Sequence, residues 1–204
     1  MKRSDKTDTL FNALRQSAKP KPVDAIEKLI RDAPDRELCR INVLAFAARH
    51  KLNEEDVIAV FLHAARLGIF DMSWNILCPA CGGVLDSGAT LKTVKQAEYR
   101  CVLCATGQEP TLDELVEVTF TINPRVRRIA AHNPETLSWS EYYRQVFWSS
   151  GVDLPDDVTF SKWVEETTLG ALELSAGEKV VLSLQLPEGS VDAFDPVVNM
   201  LVVE

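Results

Sequence analysis

Two pairs of cysteines constrain this chain more than any other feature of its sequence. They stand in CPAC and CVLC, two CxxC units separated by nineteen residues. A CxxC turn directs two thiolates at one ion, and two such turns complete the tetrahedral set of ligands that zinc takes in closed structural sites. The spacing therefore predicts a zinc ribbon with a structural Zn²⁺. Its expected ligands are Cys78, Cys81, Cys101 and Cys104.

Other uses of the four cysteines fit less well. The first residues, MKRSDKTDTLFNALRQ, lack the apolar core of a signal peptide, which predicts a reducing cytoplasmic location where disulfides are rare. A thioredoxin-like redox site needs a βαβ context and no second pair. Four thiolates leave no coordination position for a catalytic water. The fifth cysteine, Cys39 in ELCRINVLAF, is interpreted as a small buried hydrophobe.

The distribution of charge argues against a nucleic-acid partner. The 204 residues carry a net charge of -8. Residues 1–31 hold eight basic against four acidic residues, whereas residues 124–204 hold six against thirteen. Proteins that bind nucleic acids normally present a basic face, because neutralising phosphates drives their affinity. No apolar segment approaches the length of a membrane span, so neither a nucleic acid nor a membrane is expected as a partner.

Periodicity predicts an α+β fold with a helical start and a β-rich end. Its expected parts are a mobile basic arm (1–21), a helical winged-helix-like subdomain (22–70), a zinc ribbon with flanking strands (71–123), and an aromatic helix with a small antiparallel β-sheet (124–204). The KPKP run before Val23 is expected to separate the arm from the body. Asn53 is expected to cap a second helix and Gly68 to end it.

The C-terminal half adds three patterns. LVEVTFTI alternates as a half-buried strand. SWSEYYRQVFWSS predicts a helix with an aromatic face, which is interpreted as core or subunit contact rather than as a platform for stacking a ligand. NPRVRRIAAH offers Arg125, Arg127 and Arg128, for which pairing with neighbouring acids is favoured over a phosphate contact. The acidic SGVDLPDD is predicted to bind no metal, since it lacks the pattern of a calcium loop.

One alternative function stays open at this point. Two helices joined by a tight turn and followed by a strand are typical of winged-helix DNA-binding domains, and a zinc ribbon accompanies such domains in some transcription factors. The second helix would then place Glu54, Glu55 and Asp56 near phosphates, with Arg66 as the nearby base. Packing or protein contact is the favoured role.

Several runs together resemble a known family. LAFAARHKLNEEDVIAVFLHAARLGIFDMSWNILCPACGG, DELVEVTFTINPRVRRI, YYRQVFWSSGVDLP and GEKVVLSLQLPEG are similar to the uncharacterised domain that precedes the catalytic domain of many bacterial class III adenylate/guanylate cyclases. The resemblance places metal ligation at the four CxxC cysteines alone. It implies an input or regulatory role toward a cyclase catalytic domain, in cis or in trans, and leaves a homodimer open.

No catalytic function is expected for the chain itself. The roughly fifty residues after the aromatic helix are too few for a cyclase catalytic domain, so the chain is expected to be a piece of a longer polypeptide or a free-standing relative. His50, His63 and His132 lie without a nucleophile motif, and a glycine-rich phosphate loop is missing. The sequence thus predicts a non-enzymatic regulatory or interaction module with a structural zinc site.

Overall fold

The computed structural model describes residues 2–90, 99–101, 103–104, 107–108, 116–170, 172, 177–181, 192–195 and 200–203. Its α-helices are α1 (Lys2–Ser17), α2 (Pro20–Asp32), α3 (Val43–His50), α4 (Glu54–Arg66), α5 (Trp139–Tyr142) and α6 (Asp157–Thr167). Its strands are β1 (Ile41–Asn42), β2 (Phe70–Leu77), β3 (Val84–Gly88), β4 (Tyr99–Arg100), β5 (Gly107–Gln108), β6 (Val116–Ile122), β7 (Asp192–Asp195) and β8 (Met200–Val203). Short 3₁₀ turns span Asp35–Leu38, Ala130–His132 and Pro134–Thr136, and a π-helix at Tyr143–Phe147 continues α5.

Local signals set the ends of the central helices. Asn42 caps α3 by accepting hydrogen bonds from the amides of residues 44 and 45, and Asn53 caps α4 by accepting one from the Asp56 amide. Just after α4, Gly68 has a φ of 76°, a left-handed conformation that favours glycine. Both the cap at Asn53 and the stop at Gly68 are as predicted.

The N-terminal segment differs from the expected mobile arm at 1–21. Residues Lys2–Ser17 form α1, whose Phe11 and Leu14 are buried in the core against α2 and α4. Arg15 pairs with acidic residues of α2. The physical reason is that Phe11 and Leu14 lie one turn apart on one helical face, while Pro20 occupies the first turn of α2, where a missing N–H costs nothing.

A four-stranded antiparallel sheet, in the order β1-β6-β2-β3, joins segments from distant parts of the sequence. Ile41 pairs with Phe120, and Phe70 pairs with Ile122. Helix α4 packs on one face of this sheet, where the rings of Phe61 and Phe120 lie 5.2 Å apart, and α1, α2 and α3 pack against α4. One hydrophobic core therefore runs from Phe11 to Ile129. The boundary expected at residue 70, between the helical part and the zinc ribbon, therefore lies between segments that share this core.

The opposite face of the sheet is polar and buried. Glu117 and Thr119 alternate with Phe120 and Ile122 along β6, and the sequence predicted them on the exposed side of a half-buried strand. In the structure Glu117 is 9% and Thr119 0% exposed. The Glu117 carboxylate accepts hydrogen bonds from Ser149 Oγ (2.8 Å), Asn42 Nδ2 (3.2 Å) and Asn75 Nδ2 (3.4 Å). Ser149 belongs to the segment that follows the π-helix and covers this face.

The aromatic helix is present as α5 and its π-helical continuation. Tyr142 and Phe147 are buried, and Tyr143 contacts Trp163 of α6. These rings form intramolecular packing, in line with the interpretation as core. Helix α6 was not predicted, although the sequence holds two signals for it. Asp156 caps the helix, and Phe160 and Val164 lie four residues apart on its buried side.

Near the C-terminus, β7 and β8 form an antiparallel pair in which Phe194 lies opposite Leu201. This agrees with the predicted small antiparallel sheet. A further strand was predicted at Val180, Leu182, Leu184 and Leu186; Val180 is exposed and lies in no described strand, and the other three lie outside the described residues. The architecture is thus mixed helix and sheet, and the winged-helix-like arrangement of residues 22–70 stays a prediction. Among the described helices, none is both long and apolar enough to cross a membrane.

Candidate metal centre

The first CxxC turn lies at the end of β2 and leads into β3. Its backbone is closed by two hydrogen bonds, from the Cys78 amide to the Gly83 carbonyl (2.7 Å) and from the Gly82 amide to the Cys78 carbonyl (2.8 Å). Gly82 has a φ of 75°, so a residue with a Cβ would be strained there. The Gly83 amide donates a hydrogen bond to the Cys81 sulfur. An amide of the turn therefore approaches the sulfur of a cysteine in the same turn.

The second CxxC turn lies between β4 and β5. The amides of Leu103 and Cys104 donate hydrogen bonds to the Cys101 sulfur. The side chain of Leu103 reaches the first turn, where a Cβ on Gly83 would lie 2.6 Å from its Cδ1. Glycine at 83 therefore lets the two turns approach each other.

The four sulfur atoms converge. All lie within 4.8 Å of one another, with 3.6 Å between Cys78 and Cys104 and between Cys81 and Cys101. Four sulfurs at about 2.3 Å from one zinc ion lie about 3.8 Å apart in a tetrahedron, so the spacing fits a metal. It is too long for a disulfide, which needs about 2.05 Å, and none of the four cysteines forms one.

Burial keeps two of the cluster's thiols, those of Cys81 and Cys101, protonated when no cation is bound. Burial raises the pKa of the Cys81 thiol, and the neighbouring thiols of Cys101 and Cys78 raise it further, against a lowering by the Gly83 amide. Burial likewise raises the pKa of Cys101. Without a cation these thiols keep their protons, and an ion must displace the protons to bind. Four soft sulfur ligands in a closed set are compatible with zinc.

The first turn also contacts the segment 148–152. Gly83 forms an antiparallel bridge with Trp148, and the Ser149 amide donates to the Gly82 carbonyl (3.1 Å). A Cβ on Gly82 would lie 2.4 Å from Val152 Cγ2. The cysteine cluster is thus packed against the chain that follows the π-helix.

Other residues singled out in the sequence have structural partners. Arg127 donates to the Ile30 carbonyl (2.7 Å) and pairs with Asp35 (2.9 Å). Both ring nitrogens of His132 are used, by the Ile129 amide and the Ile122 carbonyl. Cys39 is half-buried outside the cluster, and burial raises its pKa, so the thiol stays neutral. None of these three residues joins the cysteine site.

Sequence reasoning missed a second concentration of polar groups. Arg40 is more than a hundred residues away from Arg144 and Trp148 in the sequence, but all three line one cavity beside α3. Their spacing carries no motif, since the fold alone brings residues 36–49 and 144–154 together. A left-handed φ of 50° at Arg40 was not predictable either, because arginine has no preference for that conformation.

Comparison with known proteins adds a family and little else. No curated protein and no solved structure matches the chain. One family model, described as a family of unknown function (DUF5939), matches residues 4–202, which is nearly the whole chain. The chain therefore belongs to the DUF5939 family.

Proposed function

We propose that this chain is a non-enzymatic regulatory module whose zinc ribbon, closed by four cysteines around a structural Zn²⁺, supports the input region of a bacterial class III nucleotide cyclase. The observation that carries the proposal is the convergence of the four sulfurs within 4.8 Å. The cyclase as the regulated partner rests on the resemblance of the sequence runs given above.

The use of four cysteine thiolates as ligands supports a structural rather than a catalytic role for the metal. Four thiolates fill a tetrahedral zinc ion, so a substrate or water has no position to occupy on it. Cys78 and Cys101 are each 1% exposed, which hinders exchange with solvent. A metal held in this way stabilises the fold around it rather than performing chemistry.

The location of the cluster supports a regulatory role. Through Gly82 and Gly83 it contacts residues 148–152, and through β2 it joins the sheet on which α4 packs. Metal binding therefore stabilises a junction between the sheet and the C-terminal helices. A change at one side of such a junction can alter the other side, which is the requirement for coupling to an attached domain.

The surface of α4 disfavours the alternative of a nucleic-acid-binding factor. Its exposed side carries Glu54, Glu55, Ile58 and Leu62, with Arg66 only at its end. Acidic and apolar groups do not neutralise phosphates. A gel shift at low salt tests this directly, and tight binding to DNA there would favour the alternative.

A fusion experiment tests the regulatory proposal. A class III cyclase catalytic domain is fused after this chain, and nucleotide cyclisation is compared for the fusion, for Cys101→Ser and for the catalytic domain alone. Cys39→Ser is the matched control, since Cys39 lies outside the cluster. We expect Cys101→Ser to change activity by about fivefold or more, the lower end of allosteric coupling, with Cys39→Ser unchanged. Equal activity in all four proteins would contradict the proposal.

A further inference from the structure

A cavity of about 250 Å³ opens on the side of the molecule between residues 36–49 and residues 144–154. Its charged lining is mostly basic, with one carboxylate among four guanidinium groups. These are Arg36, Arg40, Arg49, Arg144 and Glu37. Such a lining stands out in a chain whose net charge is -8.

Three of these arginines have acidic partners. Arg36 binds the carboxylates of Glu141 and Asp157, and Asp157 also lies 3.6 Å from Arg144. Arg49 binds Glu37 at 2.8 Å. Their charges are therefore largely balanced, and they shape the walls of the cavity.

Arg40 is different. It is half-buried, and its Nη1 donates to the Val146 carbonyl at 2.6 Å. Among the described residues no carboxylate lies within ion-pair distance of it, and Glu117 acts on it only at longer range. Burial lowers the pKa of this guanidinium, which reflects the cost of a charge without a close counter-ion. An anion in the cavity would supply that counter-ion.

A second donor lines the same cavity. Trp148 contributes to its wall, and within the described part of the chain the indole Nε1 is buried without a hydrogen-bond partner. An unpaired buried N–H is costly and rare in native proteins. The N–H has no contact with solvent, so the ring must turn toward the cavity before an acceptor atom of a bound molecule can satisfy it.

The backbone around the cavity is unusual on both sides. Arg40 adopts a left-handed φ of 50°, and the residues just before Trp148 form a π-helix. Strained non-glycine residues and π-helical turns both concentrate at functional sites. The Arg40 amide is held by Thr121 Oγ1 at 3.0 Å, which fixes the residue in this conformation.

We propose that this cavity binds a small organic anion, whose carboxylate or phosphate oxygens accept hydrogen bonds from the Arg40 guanidinium and the Trp148 indole while its apolar body contacts Leu29, Phe46 and Leu154. The volume lies just below the roughly 300–1,000 Å³ of pockets for drug-sized ligands, so the ligand is small. A planar guanidinium suits both kinds of anion. The inference goes beyond the proposed regulatory role and holds whether or not the chain acts on a cyclase.

The test uses the full chain labelled with ¹⁵N, titrated with phenyl phosphate, benzoate and, as a neutral probe of similar shape, benzyl alcohol. The indole N–H signal of Trp148, assigned by its loss in Trp148→Phe, is followed by NMR, and dissociation constants are measured by calorimetry. We expect at least one of the two anions to bind and to move this signal downfield, and benzyl alcohol to leave it in place. A preference for phenyl phosphate assigns a phosphate ligand, and a preference for benzoate assigns a carboxylate.

Variants identify the donors. Arg40→Gln is expected to weaken anion binding by a factor of about ten or more, the usual effect of losing a charged hydrogen bond. Arg125→Gln is the matched control, because Arg125 is exposed and does not line the cavity. If Arg40→Gln does not fold, Trp148→Phe removes the donor but keeps a smaller aromatic ring, and Trp163→Phe is the control for the same change of ring size at another site.

Two results would overturn the inference. The first is that neither anion moves the Trp148 signal at millimolar concentration. The second is that Arg125→Gln weakens binding as much as Arg40→Gln, or Trp163→Phe as much as Trp148→Phe, which would mean unspecific attraction to the surface.

Discussion

Val152 packs so closely on Gly82 that a Cβ at position 82 would lie 2.4 Å from its Cγ2. Through this contact, the turn that carries Cys78 and Cys81 packs against the segment that also lines the arginine-rich cavity. The candidate metal centre and the candidate anion site are therefore neighbours joined by residues 148–152.

Replacing Gly82 by alanine should destabilise the protein in two ways. Alanine is strained at a φ of 75°, and its methyl group would collide with Val152. We expect the free energy of unfolding to fall by about 3 kcal/mol, of which about 1 kcal/mol comes from the backbone. Urea unfolding followed by circular dichroism measures it. Gly68→Ala is the control, with a similar φ of 76° and open space around its Cα, and equal losses in the two variants would contradict the packing argument.

Removal of the metal should loosen the centre of the molecule. We expect a strong zinc chelator to lower the thermal midpoint by about 10 °C, because binding energy at a structural site contributes to folding. Cys101→Ser should show the same lowered midpoint and little further response to the chelator. Cys39→Ser should behave like the wild type. A midpoint that does not respond to the chelator in protein shown to contain zinc would speak against a structural site.

Glu117→Ala should be costly although the residue lies far from any predicted site. Its carboxylate is the shared acceptor for Asn42, Asn75 and Ser149, and its loss leaves buried donors unpaired. We expect a loss of about 2–3 kcal/mol in the free energy of unfolding. Glu135→Ala, on an exposed turn, serves as the control. If Glu117→Ala loses less free energy of unfolding than Glu135→Ala, water must reach the polar face of the sheet and satisfy the donors in place of Glu117.

The helix α6 should become unstable at low pH. Hydrogen bonds from the Thr159 amide and hydroxyl hold the pKa of Asp156 below its usual value, and Arg36 does the same for the pKa of Asp157. Both carboxyls bind protons less readily in the folded state than in the unfolded state. Their contribution to the stability of the fold is therefore complete above their ordinary pKa, near 3.8, and is lost as the pH falls through their lower folded pKa values.

Amide exchange of α6 between pH 5 and pH 2 measures this effect. In Asp156→Asn the cap is retained, because asparagine also caps helices, while its titration is removed. The variant should therefore show a weaker dependence on pH. An unchanged profile would assign the acid sensitivity to other groups.

The parts that sequence predicted well are those set by local chemistry. The cap at Asn53 and the stop at Gly68 each depend on a few adjacent residues. The approach of four cysteines followed from two CxxC units because each turn already aims two sulfurs at one point.

The parts that sequence missed depend on contacts between distant segments. Glu117 looked like a solvent-facing residue, since alternation cannot show that Ser149 covers its side of the strand. The arm at 1–21 looked separate, since nothing local shows that Phe11 packs against other helices. Arg40 and Trp148 meet at one cavity only because the fold brings them there.

X-ray absorption at the zinc edge on the purified full chain would detect the closed zinc site itself. We expect one zinc ion per chain, with four sulfur neighbours at about 2.3 Å and no nitrogen or oxygen ligand. Cys39→Ser should give the same spectrum, and Cys101→Ser should lose a sulfur neighbour or the metal. A wild-type chain free of zinc after expression with ample zinc, or a zinc ion with open or oxygen-filled positions, would contradict the closed structural site.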